Sequence, residues 1–453
     1  MKDLTRGHEA KVILLFALPM LLGNVFQQMY NMVDSIVVGK FIGKQALAAV
    51  GQSFPILFVS VALVMGFGMA SNILIAQNYG AKRMDKVRAV IDTTITVMIV
   101  FSLAVTFLGV LLAPLILRLM QTPRDVFDGA VLYLRIIFAG SLVSFGYNAL
   151  AAIQRGLGDS KTPLYALIIS TIVNIILDLV FVIFFGWGIA GVGIATVIAQ
   201  GVSLAWTVLY LRKNNPLLRI HLRALSFDRE VFSEILKIGL PSGIQQALVG
   251  AGLMTLSGVV NGFGTNPAAA FSAVAKLDSF TIMPAMNIGM AVSTFTGQNM
   301  GAGKKDRVRR GLGYGLLMAL AITGSIAAVL AVSGDRFIML FSDDPEVIRI
   351  GFEYLRIVSF AYVAQAVMFV FGSVIRGAGE AVFPMLMTLT AMWIVRIPLA
   401  FILSAYRGTS GIWWSIDIGF LVGMTGTVLY YFFGNWHRRT VVNPAPAAAS
   451  ISV

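Results

Sequence analysis

Ala76-Gln-Asn-Tyr-Gly-Ala-Lys-Arg-Met-Asp-Lys-Val-Arg88 returns 221 residues later as Gly297-Gln-Asn-Met-Gly-Ala-Gly-Lys-Lys-Asp-Arg-Val-Arg309. The same interval carries Tyr133-Leu-Arg135 onto Tyr354-Leu-Arg356. It also carries Arg155-Gly-Leu-Gly-Asp159, with Pro163, onto Arg376-Gly-Ala-Gly-Glu380, with Pro384. Leu18-Pro19 returns as Leu240-Pro241 at an interval of 222. Chance does not hold one register over so long a stretch, so the chain is an internal duplication.

The repeated unit is a membrane unit. Of 453 residues, 58% are apolar and 12% charged, against roughly a quarter charged in a soluble domain, and the mean hydropathy is +0.84. A disordered chain is apolar-poor, so disorder is excluded as well. An apolar run of about 20 residues crosses a bilayer as a helix. Such runs lie near 12–38, 46–76, 89–116, 130–154, 163–186 and 189–211, then near 233–260, 267–299, 311–333, 350–375, 383–405 and 411–434. Pro19, Pro55, Pro241, Pro284 and Pro398 mark expected kink points. The first run is too long for a cleavable signal and lacks a small-residue cleavage site.

The expectation is therefore an all-α polytopic membrane protein, with twelve transmembrane helices in two six-helix bundles. An even number of spans per repeat relates the bundles by a pseudo-two-fold along the membrane normal. The expected organisation is an N-lobe at 1–211, a cytoplasmic linker at 212–230, a C-lobe at 231–436 and a disordered cytoplasmic tail at 437–453. Asp228 is the expected N-cap of the helix that enters span seven. With the N-terminus inside, cytoplasmic segments hold 23 Lys and Arg and external ones 9, which places both termini in the cytoplasm. The net charge of +13 is read the same way, and no nucleic-acid partner is expected. Cysteine is absent and the three histidines, His8, His221 and His437, stand in loops or termini, so neither a thiolate nor a histidine metal cluster is expected.

Ionisable residues inside spans cost about 2.5–3.5 kcal/mol each, which makes them functional candidates. Asp34, Asp178, Lys276, Asp278, Arg396 and Asp417 are singled out. Asn24, Gln27, Asn31 and Asp34 recur at helical steps on one face of span one, beside Tyr30. Gln27, Tyr30 and Asn31 are candidates for the substrate cavity. Asn174 and Asp178 share a face of span five. At 1.5 Å per residue Asp34 lies about 8 Å below the outer end, Thr196 about 10 Å, Asp178 about 12 Å and Asn174 about 18 Å. Asp34, Asn174, Asp178 and Thr196 thus form a candidate oxygen-ligand site for Na⁺ or an exchangeable proton. The bland alternative is that these groups only bond one another and tie helices together. In the second half Lys276, Asp278, Arg396 and Asp417 form a candidate charge network. A buried Asp278–Arg396 ion pair is its plainest explanation, with Asp417 competing for Arg396 and Lys276 for Asp278. Some of the 21 methionines suit an adaptable apolar cavity.

Leu18-Pro19, Val33-Asp34 with Val38-Gly39, Leu47-Ala-Ala-Val-Gly51, Gln77-Asn78 with Gly80-Ala81, and Arg155-Gly156 with Gly158-Asp159 together resemble the multidrug and toxic compound extrusion (MATE) family. The resemblance implies a secondary antiporter that exports amphipathic, often cationic drugs in exchange for H⁺ or Na⁺ by alternating access. It requires no cofactor, and no metal beyond Na⁺ at the candidate site. The DinF-like branch keeps its coupling carboxylates in the N-lobe, and Asp34, Asn174, Asp178 and Thr196 match that pattern. The NorM-like branch adds carboxylates in spans seven and ten, whereas this sequence has none between Leu240 and Val260 or between Ile357 and Ile375. DinF-like is the favoured branch. The expected setting is a bacterial inner membrane, with the lipid bilayer and small amphipathic or cationic substrates as partners and a monomeric state.

Two other functions compete. A lipid-linked precursor flippase needs a basic cavity, yet only Lys276 and Arg396 are basic inside spans. A membrane-embedded enzyme needs a metal cluster or a nucleophile–base pair, and no span holds a histidine.

Overall fold

The computed structural model describes residues 2–214 and 225–438. Arg219, His221 and Arg223 of the expected linker, and the expected tail from residue 439 on, lie outside the described residues.

Among the described residues fourteen α-helices cover the twelve expected spans. They are α1 (Glu9–Val37), α2 (Lys44–Gly80), α3 (Met84–Leu119), α4 (Arg124–Ala139), α5 (Ser141–Gly156), α6 (Lys161–Leu179), α7 (Gly188–Asn214), α8 (Arg229–Asn261), α9 (Thr265–Gly301), α10 (Lys305–Ile338), α11 (Pro345–Gly377), α12 (Val382–Leu389), α13 (Ile397–Arg407) and α14 (Thr409–Phe433). Ten helical stretches are long and apolar enough to cross a membrane individually. The α4–α5 pair, bent by 51°, makes an eleventh. α9, at the position of the expected span 267–299, falls short of that test because Lys276, Asp278 and many Ser, Thr, Asn and Gln residues lower its hydropathy.

Span four is therefore broken rather than continuous, and Gly140-Ser141 stands at the break. A second departure from helical backbone falls at Ser333, before Gly334, inside α10. Glycine–serine pairs are a recognised cause of sharp bends. Pro19, Pro55, Pro241 and Pro284 instead sit inside helices that run on without a break, and Pro398 opens α13.

The repeated motifs turn out to be turns with the same local design. In Arg155-Gly-Leu-Gly-Asp159, Gly158 takes φ +81°, and Asp159 then accepts from the N–H groups of Lys161 and Thr162 at the start of α6. In the second copy Gly379 takes φ +101°, and Glu380 accepts from Val382 and Phe383 at the start of α12. A side-chain acceptor at a helix start satisfies otherwise orphaned donors. Asp228 does the same for α8 through the N–H groups of Glu230 and Val231.

The chain divides into two compact units. The first is built on Leu18–Ile75 and Arg83–Gly243, the second on Asp3–Ala17, Ala76–Lys82 and the chain from Ile244 onward. The division thus falls inside α1 beside Pro19 and inside α8 beside Pro241. In the first unit α3 packs on α4 and α5, and α7 on α4, α5 and α6. In the second, α11 is the central helix: 67% of its apolar window is buried, against 22–33% for the other single-helix spans. It packs on α9, α10 and α14, with Trp413 fully buried against Phe271 and Tyr354.

The N-terminal segment is bolted to that second unit. Leu4 N–H donates to Gln298 Oε1 at 2.9 Å, and Asn299 Nδ2 donates to Leu4 O at 3.2 Å. Glu9, 6% exposed, pairs with Arg307 at 3.2 Å and Arg310 at 3.0 Å. Losing this carboxylate leaves the half-buried Arg307 uncompensated. Glu9→Gln is expected to cost about 2–3 kcal/mol, read as a lower thermal-unfolding midpoint. An unchanged midpoint would show that Glu9 does not fasten the segment.

Candidate functional site

Three helices of the first unit bring their polar groups to one place. Asp34 stands on the outer part of α1, Asn174 and Asp178 one turn apart on α6, and Thr196 on α7. Asn174 and Asp178 are fully buried. The carboxyl groups of Asp34 and Asp178 lie within hydrogen-bonding range of one another. Among the described residues no N–H or O–H donor satisfies Oδ1 of Asp34 or either carboxylate oxygen of Asp178. Asn174 faces Asp178 along α6, but neither of its amide atoms reaches direct hydrogen-bond geometry. Tyr30 completes the wall, its hydroxyl donating to Thr196 Oγ1 at 3.1 Å.

Two carboxylates about 4 Å apart repel by about 4 kcal/mol even at an effective dielectric near 20. A shared proton or a small cation is what relieves such a like-charge encounter. Asn174 and Thr196 supply neutral oxygens beside it, the ligand type that hard cations take. Among the described residues no cluster of three or more His, Cys, Asp or Glu side chains is placed to hold a metal ion.

Of the cavity candidates, Gln27 Nε2 donates to Asn31 Oδ1 at 3.5 Å, and Asn31 Nδ2 to Gln28 Oε1 at 3.5 Å. Asn31 is exposed and Gln27 partly so. These residues form a ladder along α1, one to two turns below Asp34.

The polar cluster has one further, uncharged member. Tyr133 on α4 lies within electrostatic reach of both Asp34 and Asp178 and packs with Val37, Val38, Val182 and Val192. Its repeat image, Tyr354, donates its hydroxyl to Asp278 Oδ2 at 2.6 Å. The repeated Tyr-Leu-Arg motif is the signal that marks both tyrosines. Asp92 is also buried within a span and was not among the candidates; it is paired with Arg88 at 3.1 Å on α3.

Both carboxylate-bearing helices then widen. α1 passes into a π-helical turn at Val38–Ile42, four residues after Asp34, and α6 into another at Val180–Phe184, two residues after Asp178. Such turns are rare and concentrate at functional sites.

The second unit holds a different cluster. Asp278 accepts from Tyr354 and from Tyr362. Arg396 is 8% exposed, with its guanidinium 5.4 Å over the Phe420 ring and Nη1 directed at Met392 Sδ at 3.6 Å. Asp417, 2% exposed, lies near Arg396 and the Ala361 backbone. It is the repeat image of Thr196. The expected Asp278–Arg396 ion pair does not form: among the described residues no ion pair joins Arg396 to Asp278 or Asp417. Two tyrosine hydroxyls occupy Asp278 instead. Lys276 does not belong to the cluster, because its side chain is exposed and its Nζ stands 5.0 Å over the Phe341 ring.

A duplicated twelve-span bundle with a buried carboxylate pair in one half defines a secondary-transporter architecture. The MatE family model matches this chain twice, at residues 19–180 and 241–402, again one repeat apart. The chain is 32% identical over 438 residues to the probable multidrug resistance protein YpnP of Bacillus subtilis, covering 96% of this chain and 97% of that one. It is 33% identical over 436 residues to the probable multidrug resistance protein YoeA of the same organism, covering 94% of each. Among solved structures, one described as the outward-facing conformation of a multidrug resistance MATE family transporter of the MOP superfamily superposes with a TM-score of 0.88. It is 25% identical and covers 96% of this chain and 97% of that one. The chain belongs to the MATE family. Its class is that of membrane transporters, not of enzymes.

Proposed function

We propose that the protein exports amphipathic, often cationic small molecules in exchange for H⁺ or Na⁺. The observation that carries this reading is the Asp34–Asp178 pair, three of whose four carboxylate oxygens have no direct hydrogen-bond partner among the described residues, with Asn174 beside it and Thr196 held by Tyr30. Relatives bearing multidrug resistance names favour drugs as the cargo. Gln27, Tyr30 and Asn31 line the path below the pair as polar contacts for substrate. Binding of the coupling ion favours one conformation only if it binds the two with different affinity. A change in how α1 packs near Pro19 supplies that difference. The lobes that alternate are 1–211 and 231–436, joined through 212–230, with both termini on the cytoplasmic side of a bacterial inner membrane and the chain acting as a monomer.

The absence of C-lobe carboxylates at the NorM-type positions supports a DinF-like coupling site confined to the N-lobe. A precursor flippase is disfavoured, since Lys276 and Arg396 are too few for a basic cavity and Lys276 turns outward. The test is ethidium transport by the full chain in proteoliposomes under separately imposed Na⁺ and pH gradients. One gradient is expected to drive transport and to name the ion. Transport indifferent to both would sink the antiport reading.

A further inference from the structure

The segment Lys304–Arg310 carries five cations with unequal commitments. Lys304 donates to Thr5 O, and Arg307 and Arg310 both hold Glu9. Lys305 and Arg309 make no ion pair or hydrogen bond among the described residues. They stand one turn apart on α10, so their side chains share a face, and both line a cavity of about 340 Å³. The opposite wall is aromatic: Tyr431 and Phe432 from the end of α14, with Trp436 and His437 just beyond it. That wall is fixed in place. Trp436 is 8% exposed, stacks on Tyr431 at 5.0 Å and 19°, and donates its indole N–H to Tyr431 O at 2.7 Å.

The cavity sits where membrane-spanning helices end, since α9 stops at Gly301, α10 begins at Lys305 and α14 stops at Phe433. Beside it Phe432 and Phe433, 63% and 84% exposed, form an apolar flank, and the Trp436 and Tyr431 rings are of the amphipathic type that sits at the level of lipid head groups. Basic pockets between spans at such a boundary suit the head groups of anionic lipids. We propose that this cavity binds one anionic glycerophospholipid. Its phosphate lies between Lys305 and Arg309, the His437 ring and the Trp436 face border the head group, and an acyl chain runs over Phe432 and Phe433. Asp306 is the one acid on the rim, and it leaves the rim positive. A free phosphate ion would use the basic pair but not the apolar flank, whereas a lipid uses both. The tail sequence from Arg439 to Val453 contains no acidic side chain, so its side chains cannot neutralise Lys305 and Arg309. The proposal needs only a helix-end position at the membrane boundary and stands apart from the transport cycle.

The test is native mass spectrometry of the full chain in detergent, titrated with phosphatidylglycerol and with phosphatidylcholine of the same acyl length. The wild type is expected to retain one phosphatidylglycerol molecule in preference to phosphatidylcholine. The Lys305→Gln/Arg309→Gln double variant is expected to bind it at least about tenfold more weakly, and a charge-matched Lys11→Gln/Lys237→Gln control as tightly as wild type. Brominated phosphatidylglycerol is expected to quench a component of the tryptophan emission that is missing from Trp436→Phe. Equal retention of the two lipids by the wild type overturns the proposal whether or not the double variant folds. So does displacement of the bound lipid by inorganic phosphate at comparable concentration, which would leave a simple phosphate site.

Discussion

Asp34→Asn and Asp178→Asn are each expected to cut gradient-driven drug export sharply while leaving the protein folded in the membrane. The exchange keeps side-chain volume and replaces one acidic oxygen by an amide, so the helices keep their packing. It also removes the like-charge encounter that demands a proton or cation. A coupling free energy of 1–3 kcal/mol corresponds to a factor of about 5–150 in the coupled equilibrium. Gradient-stimulated ethidium transport should fall by about that factor in either variant. The double variant should be no worse than the singles, because two groups that act as one unit do not add. Asn174→Ala and Thr196→Ala should weaken the ion dependence without erasing it, as neutral ligands contribute less than the charged pair. Wild-type resistance to drugs in cells carrying either Asp→Asn protein would remove the pair from the mechanism.

The second large effect is steric. Gly80 and Gly301 are repeat images, and each closes on the backbone of the other copy's motif. A Cβ on Gly80 would lie 1.9 Å from Gln298 O, and one on Gly301 would lie 1.9 Å from Gln77 O. The contact is reciprocal, as a two-fold relation between α2 and α9 ends requires. Gln77 adds a hydrogen bond from Nε2 to Gly377 O at 2.9 Å. Even one methyl group must push backbone from backbone, since no flexible side chain is there to yield. Gly80→Ala or Gly301→Ala is expected to cost about 3 kcal/mol or more, seen as a marked drop in unfolding midpoint. Gly51→Ala is the control. It lies in the same α2 helix with nothing near its added Cβ, and should be neutral or stabilising by up to about 1 kcal/mol. A Gly80→Ala protein as stable as Gly51→Ala would show that the two helix ends do not meet in this way.

What the sequence discloses, and what it hides, follows from length scales. Twelve spans and a duplication are legible because hydropathy and register are summed over tens of residues. The convergence of Asp34, Asp178 and Thr196 follows from helical rise, since residues entering from one side at matched depth end up level. Side-chain direction is not summed over anything. Lys276 is two residues from Asp278, so on a helix the two point about 160° apart, which is why one joins Tyr354 and Tyr362 while the other reaches Phe341. Arg396 likewise settles on an aromatic face instead of an acid, a choice made by ring positions on α14 that no spacing reveals. The breaks in helical backbone fall at Gly140-Ser141 and at Ser333, before Gly334. A glycine–serine pair leaves no periodic trace.

The π turns at Val38–Ile42, Val180–Phe184 and Thr390–Arg396 give this scaffold slack. Each stores one surplus residue, which can migrate along its helix by exchanging hydrogen-bond partners one at a time. Every residue the surplus passes is turned by about 100° and advanced by about 1.5 Å, with no rung of the ladder broken for long. Two of these three wide turns stand within a few residues of the carboxylate pair, one on each of the helices that carry it.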